Sequence, residues 1–178
     1  LPGDQLMHAL ESLNDSGIAS FSDRARDALR GGGCCDSGEA LMTQGLLNGL
    51  HYAPNAMAAG KDQREALLRA ADMARVGLAG TLRDVRMTTH DGASRRLAQI
   101  DYAGQPAGFV AQPGEVVNYV ENHDNPTLFD ILTLKLPRGT TREERVRTQL
   151  LGAAFVGFSQ GIAYHHAGME VLRSKSLD

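Results

Sequence analysis

The chain has 178 residues, 42% of them hydrophobic, and a formal net charge of −3. That is enough apolar content for one globular core, and the mild acidity gives no electrostatic reason to expect nucleic acid or an anionic membrane surface as partner. The longest apolar run, Leu150 to Phe158, is about half the roughly 18 residues a membrane helix needs, so no membrane role is expected.

Taken in chain order, the sequence opens at Leu1 rather than at a methionine, with no signal-peptide pattern. The expectation is a processed protein or a piece of a longer one. Ile18 to Phe21 is a short apolar stretch, and Ser22 after it is a good N-cap. Asp23 to Arg30 reads as a helix with acid at its start and arginine at its end, as the helix dipole favours. Gly31, Gly32 and Gly33 stop it. The only two cysteines, Cys34 and Cys35, are adjacent; disulfide geometry strains the peptide between neighbours, and CxxC spacing is lacking. They read as structural or incidental thiols. Cys34 to Lys61 is loop-like, with room for a short helix around Glu39 to Leu47.

Leu67, Leu68, Ala71, Ala74, Arg75 and Leu78 recur at near-helical spacing and predict a helix over about Gln63 to Leu78. Between Gly80 and Gln112 periodicity weakens while Gly, Asp and Pro recur, which reads as an irregular excursion over the surface. After Pro113-Gly114, the run Val116, Val117, Tyr119 and Val120 predicts a buried parallel strand. It ends in Glu121-Asn122-His123-Asp124-Asn125. Pro126 fits the first turn of a helix continuing to about Lys135. Thr141-Arg142-Glu143-Glu144 is a capping box that opens another helix, with its apolar body through Leu150, Ala154 and Phe158. Gln160-Gly161 ends it, and Ile162-Ala163-Tyr164 is a final short strand with a polar exit at His165-His166. Strand, helix and strand in this order predict parallel βαβ construction with the polar clusters at the strands' C-terminal ends. In a (β/α)8 barrel that face carries the active site.

Asn122-His123-Asp124-Asn125 is the strongest local signal. Four hydrogen-bonding side chains leaving a buried strand must find partners or face a ligand. One reading is a capped strand-to-helix turn, with Asn125 as N-cap; the other is a binding site. A His-Asp pair is also found in metal-dependent phosphohydrolases, but further ligands on helices would be needed. His165, His166 and Glu170 invite a metal reading as well. Alternation points the two histidines to opposite faces, so a structural or substrate-lining role is expected and no metal. Leu172-Arg173-Ser174-Lys175-Ser176 by itself reads as a solvated loop.

Three segments in this order resemble one family. Ser20-Phe21-Ser22-Asp23-Arg24-Ala25-Arg26-Asp27-Ala28-Leu29-Arg30-Gly31-Gly32 resembles the stretch near the sixth barrel strand of pullulanases. Val117-Asn118-Tyr119-Val120-Glu121-Asn122-His123-Asp124-Asn125, followed by Thr127-Leu128-Phe129-Asp130, resembles their motif at the seventh strand. Gln160-Gly161-Ile162-Ala163-Tyr164, His166-Ala167-Gly168 and Leu172-Arg173-Ser174-Lys175-Ser176-Leu177-Asp178 resemble the eighth strand and its loop in limit dextrinases and pullulanase-type α-1,6-glucosidases. Gly77-Leu78-Ala79-Gly80-Thr81-Leu82-Arg83-Asp84 is similar to the same subgroup.

The resemblance implies an α/β fold: the C-terminal portion of a (β/α)8 TIM-barrel glycosidase, about strands six to eight, with residues 1–178 as a single partial domain. It implies a retaining hydrolase of the α-amylase clan that cleaves α-1,6-glucosidic linkages in branched α-glucans such as pullulan, limit dextrins, amylopectin and glycogen. By motif, Asp124 matches the family's transition-state-stabilising aspartate and His123 a histidine that donates to the same sugar. Asn125 and Arg173 are implied as further substrate contacts. No cofactor is implied in this segment. The family's nucleophile motif, an arginine two residues before an aspartate on an apolar strand, is absent, as is its glycine-flanked acid/base glutamate. A barrel needs about 250 residues. The expected entity is therefore a fragment, inactive alone and prone to aggregate through uncovered sheet edges. A non-catalytic carbohydrate-binding barrel and an α-glucan branching enzyme of the same clan remain the alternative classes.

Overall fold

The computed structural model describes residues 8–175; Ser176, Leu177 and Asp178, quoted above for the final loop, lie outside them. A three-stranded parallel sheet organises the chain. Its strands are β1 (Ser20–Phe21), β6 (Val116–Asn118) and β7 (Ile162–Ala163), in that spatial order. Ser20 lies opposite Val116 and Phe21 opposite Val117; Val117 in turn faces Ile162, and Asn118 faces Ala163. Parallel neighbours need long crossovers. The first holds α1 (Asp23–Arg30), α2 (Arg64–Leu78) and the 80–112 excursion, and the second holds α3 (Leu128–Lys135) and α4 (Arg142–Phe158).

Alternation along β6 divides the sheet into two faces. Val116 and Val120 share one face and are fully buried, Val116 against Phe109 and Val110 of the excursion. Val120 meets Leu128 and Leu132 of α3, Val156 of α4, and Leu29, Leu47 and Met169 in one cluster. Phe21 and Ile162 lie on the other face and stay about half exposed. There the Phe21 ring meets Tyr119 and Tyr164 edge-on, with centroids 5.0 and 5.5 Å apart. Leu150, Leu151 and Phe158 of α4 are also exposed. No described helix is long and apolar enough to cross a membrane.

Two glycines are dictated by close backbone approach. Gly31, at φ 74°, ends α1 where the 43–45 segment docks: a Cβ there would lie 2.3 Å from the Gln44 carbonyl carbon. That docking lets the Leu46 and Leu47 N–H groups donate to the carbonyls of Ala28 and Leu29. Gly161, at φ 105°, admits β7 beside β6, where a Cβ would sit 2.6 Å from Val116 Cγ1.

The capping box forms as the sequence predicts. Thr141 Oγ1 accepts from the Glu144 N–H and Glu144 Oε2 accepts from the Thr141 N–H at 2.8 Å. Other expectations need correction. Ser22 stands at the N-cap of α1, yet its buried hydroxyl makes no capping bond and has no partner among the described residues. The short helix expected over Glu39 to Leu47 is a 3-10 turn, Gly38–Met42. The strand expected to reach Val120 ends at Asn118. Helix α3 starts at Leu128, not Pro126, with Thr127 as its N-cap accepting from the Asp130 N–H at 3.2 Å. The start is delayed because the Pro126 carbonyl is taken by Arg30 rather than by a helical N–H.

The 80–112 stretch is more than a surface excursion. It holds two antiparallel pairs, β2 (Arg86–Thr88) with β3 (Ser94–Arg96) and β4 (Asp101–Tyr102) with β5 (Gln105–Pro106). Leu97 and Ala107 are fully buried and pack against Val76 of α2, giving the stretch its own small core. Strands this short carry too little alternation to register in the sequence. Asp72 of α2 secures the excursion by accepting from the backbone N–H of His90 at 2.9 Å, with the His90 ring 2.7 Å away.

Candidate active-site loop

The base of the candidate site is a set of buried cations. Helix α1 carries Arg24, Arg26 and Arg30, all buried. Buried charges persist only where acceptors meet them, and each of these has its own. Arg24 lies over the rings of Tyr102 and Phe109, 4.6 and 4.5 Å from their centroids, and donates to the Pro106 carbonyl. Arg26 pairs with Asp23 at 2.9 Å and Asp27 at 2.6 Å and donates to the Tyr119 hydroxyl. Arg30 donates to the carbonyls of Val120 at 3.1 Å and Pro126 at 3.0 Å. Burial, helped by neighbouring Arg26, lowers Arg30 to about 10, which leaves it charged at neutral pH. Lys135 sits behind it and donates to the Arg30 and Gly31 carbonyls; burial, then Arg30, lowers it to about 8.

Arg30 thereby pins both ends of the segment between Val120 and Pro126. Within it, Glu121 is buried. Its Oε2 accepts from the Leu128 N–H at 2.6 Å, adding an acidic cap to α3, and its Oε1 lies 3.0 Å from His166 Nδ1. Arg173 Nη2 is 2.8 Å from His166 Nε2. The same Nη2 is 2.9 Å from His166 Nδ1, so the guanidinium lies against the ring as a whole. Asn122 is buried, and its Oδ1 accepts from the Asp124 N–H at 3.0 Å. This Asx-type turn throws the next side chains outward.

His123 and Asp124 are the result. Their side chains are 76% and 68% exposed, joined by a 2.8 Å contact between His123 Nδ1 and Asp124 Oδ1. They stand beyond the C-terminal end of β6, with Asn125 beside them half-buried. Three of the four residues singled out from the sequence are therefore together. Arg173 is packed over Gly168 and turned onto His166. The last described residues form an exposed loop, as their composition suggested, but one that is tied down. Ser174 and Lys175 bond to Asp130, and the Lys175 ammonium reaches the carbonyls of His123 and Asn125. Sequence reasoning missed Glu121, Arg30 and Lys175. Each left only a local trace there: Glu121 as an acid directly before the polar cluster, Arg30 as a helix end and Lys175 as part of a polar stretch. Among the described residues no group of three or more His, Cys, Asp or Glu side chains is arranged to hold a metal ion. Cys34 and Cys35 are free and exposed, so they are not packed into the core.

Comparison with known proteins adds the following. No family model matches the chain. It is 46% identical over 167 residues to a pullulanase of Klebsiella pneumoniae, covering 93% of this chain and 15% of that protein. With chloroplastic pullulanase 1 of Arabidopsis thaliana it shares 39% identity over 170 residues, 94% of this chain and 17% of the relative. The chain thus spans about one sixth of the length of the curated relatives it matches. Among solved structures, the maltotriose complex of PulA from Klebsiella pneumoniae superposes with a TM-score of 0.89 at 44% identity, over 95% of this chain and 18% of that one. A pullulanase mutant from Paenibacillus barengoltzii, complexed with maltotetraose, superposes with a TM-score of 0.57 at 26% identity, over 89% of this chain and 18% of that one.

Proposed function

From the premise that this chain is homologous to a segment of pullulanases, we propose that it forms part of the catalytic (β/α)8 barrel of a glycoside hydrolase that debranches α-glucans at α-1,6-glucosidic linkages. In this reading β1, β6 and β7 are the sixth to eighth barrel strands, and residues 1–178 are a C-terminal portion of one domain. The observation that carries the reading is the exposed His123–Asp124 pair beyond the C-terminal end of parallel strand β6. In barrel enzymes the active site occupies that end of the strands.

A retaining glycosidase uses one carboxylate as nucleophile and a second as acid and then base. Asp124 serves as a third carboxylate. It accepts hydrogen bonds from sugar hydroxyls, and these strengthen as the ring takes on oxocarbenium character, so they lower the barrier rather than merely tightening binding. With His123 Nδ1 held by Asp124, its Nε2 is the ring nitrogen left to hydrogen-bond the same sugar. Asn125 and Arg173 flank the ring. The nucleophile and the acid/base come from outside this segment, so the chain by itself is inactive. Substrates are pullulan, limit dextrins, amylopectin and glycogen, and no cofactor is required here.

The test is the action of the complete enzyme on pullulan, followed by reducing-end release and by the anomeric form of the first product. Release of maltotriosyl units with retained configuration is expected. Binding without release would instead indicate a non-catalytic barrel, and new branch points without net reducing ends a branching enzyme; either result overturns the reading.

A further inference from the structure

The end of the described chain crosses back over the loop that carries Asp124. Asp130, in the first turn of α3, is buried and accepts from two successive residues there: the Ser174 hydroxyl at Oδ1, 2.5 Å, and the Lys175 N–H at Oδ2, 2.9 Å. Burial pushes the Asp130 carboxyl up, but these bonds and those from Thr127 more than offset it, so the group is held below its usual range. Asp130 thus stays ionised and fixes where the Lys175 backbone lies. From that point the Lys175 ammonium reaches the carbonyl oxygens of His123 and Asn125, the latter at 2.7 Å.

One residue separates those two carbonyls, and it is Asp124. Arg30 holds the carbonyls of Val120 and Pro126 from the buried side. The outer edge of the loop has less to hold it. There the ring contact of His123 with Asp124 and the Asn122 turn are ties within the loop itself. Lys175 is exposed, so core packing does not account for its placement. An exposed lysine ordinarily keeps its ammonium in water, because fixing a long, flexible side chain costs entropy. Two charge-assisted bonds to the carbonyls flanking Asp124 offset that cost.

We propose that Lys175 is a positioning residue for Asp124: by holding the carbonyls on either side, it sets the direction in which the Asp124 carboxylate leaves the loop. The inference rests on reading Asp124 as the carboxylate that faces the sugar. Catalysis is sensitive to small displacements of such a group. Losing the clamp lowers kcat, with less effect on KM, because contacts to the rest of the glucan chain are untouched.

The experiment uses the complete enzyme and the variants Lys175→Met, Lys175→Arg and Asp124→Asn, with pullulan as substrate and amide hydrogen exchange as a readout independent of activity. For Lys175→Met, exchange over residues 122–126 is expected to rise at least about tenfold while α2 stays unchanged. The kcat is expected to fall about tenfold, with KM within about twofold. Lys175→Arg should restore most of both, since a guanidinium also carries donors enough for two carbonyls. Unchanged exchange over 122–126 would overturn the proposal, as would an equal rise in α2, which marks general loosening. If exchange rises and kcat holds in Lys175→Met while Asp124→Asn is inactive, positioning is refuted and the role of Asp124 stands. If Asp124→Asn also keeps its kcat, the reading of Asp124 has failed and takes its positioning residue with it.

Discussion

Two regions rich in polar side chains are joined through Arg30 and use those side chains in opposite ways. Around the end of α1, Arg30, Gln44, Asn48 and Lys135 are buried, and each bonds to backbone groups. Gln44 Nε2 alone reaches the carbonyls of Asn48, Ala53 and Lys135, while Asn48 accepts from Gly45 N–H and donates to the Arg30 carbonyl. These side chains satisfy backbone groups that irregular chain would otherwise leave unpaired in the interior. In the loop after β6, His123 and Asp124 are open to solvent and their side chains contact each other. The first region closes the fold. The second is anchored at both ends by Arg30 but leaves the His123 and Asp124 side chains open to solvent.

If that division holds, substitutions should separate stability from activity, and they can be ranked by their effect on stability. The largest loss is expected for Gly31→Ala. The new Cβ would meet Gln44 and Thr43 backbone atoms at 2.3 Å in a left-handed conformation, for a cost on the order of 3 kcal/mol or more. The urea midpoint measures it. Arg30→Met leaves the Val120 and Pro126 carbonyls without their donor and should destabilise by about 2–3 kcal/mol, partly offset because a buried charge is removed as well. Lys135→Met should cost about 1–2 kcal/mol for the same reason on a smaller scale.

Lys135 also makes a pH prediction. Its folded value of about 8 lies below the roughly 10.4 of a free lysine. Between those values the unfolded chain binds more protons, so stability rises with pH there and the burial penalty is full below about pH 8. Lys135→Met should flatten that rise in melts between pH 8 and 10. Asp130 works in the other direction. Its carboxyl is held below the usual range, so its contribution is present above the unfolded value of about 3.9 and is lost as pH falls through the folded one. Protease sensitivity of the 168–175 loop should increase on acidification, and in Asp130→Asn it should already be raised at neutral pH.

The same contrast explains what the sequence reveals. Helix α2, the capping box of α4 and strand β6 are local: their periodicity or cap chemistry lies within a few residues, and they appear close to where they were expected. His123, Asp124 and Asn125 were legible because a β-branched run delivers them together. Arg30 does end α1 as the helix dipole favours, but its acceptors at Val120 and Pro126 lie some 90 positions away and left no local signal. Lys175 looked like part of a solvated loop because its partners are about 50 positions upstream. The start of α3 was placed at Pro126 by proline's preference for first turns. Arg30 and Glu121, neither of them in that local window, moved it to Leu128. The two short antiparallel pairs of the excursion were hidden behind turn residues. Their core becomes visible only when Leu97 and Ala107 are seen against Val76.

The smallest expected effect on stability is the most informative. Asp124→Asn keeps the shape of an exposed side chain in contact with His123, so unfolding free energy should change by no more than about 0.5 kcal/mol. In the complete enzyme the same substitution removes a charge used mainly in the transition state. The kcat on pullulan should fall by at least about 10²-fold, as loss of one oxyanion-hole donor does in other enzymes, with a smaller change in KM. If Asp124 only shaped a turn, asparagine would serve as well. The decisive measurement is therefore kcat and KM on pullulan beside the melting temperature, for wild type and Asp124→Asn. A normal melting temperature with kcat reduced at least about 10²-fold is the predicted result; a normal melting temperature with near-normal kcat would contradict it.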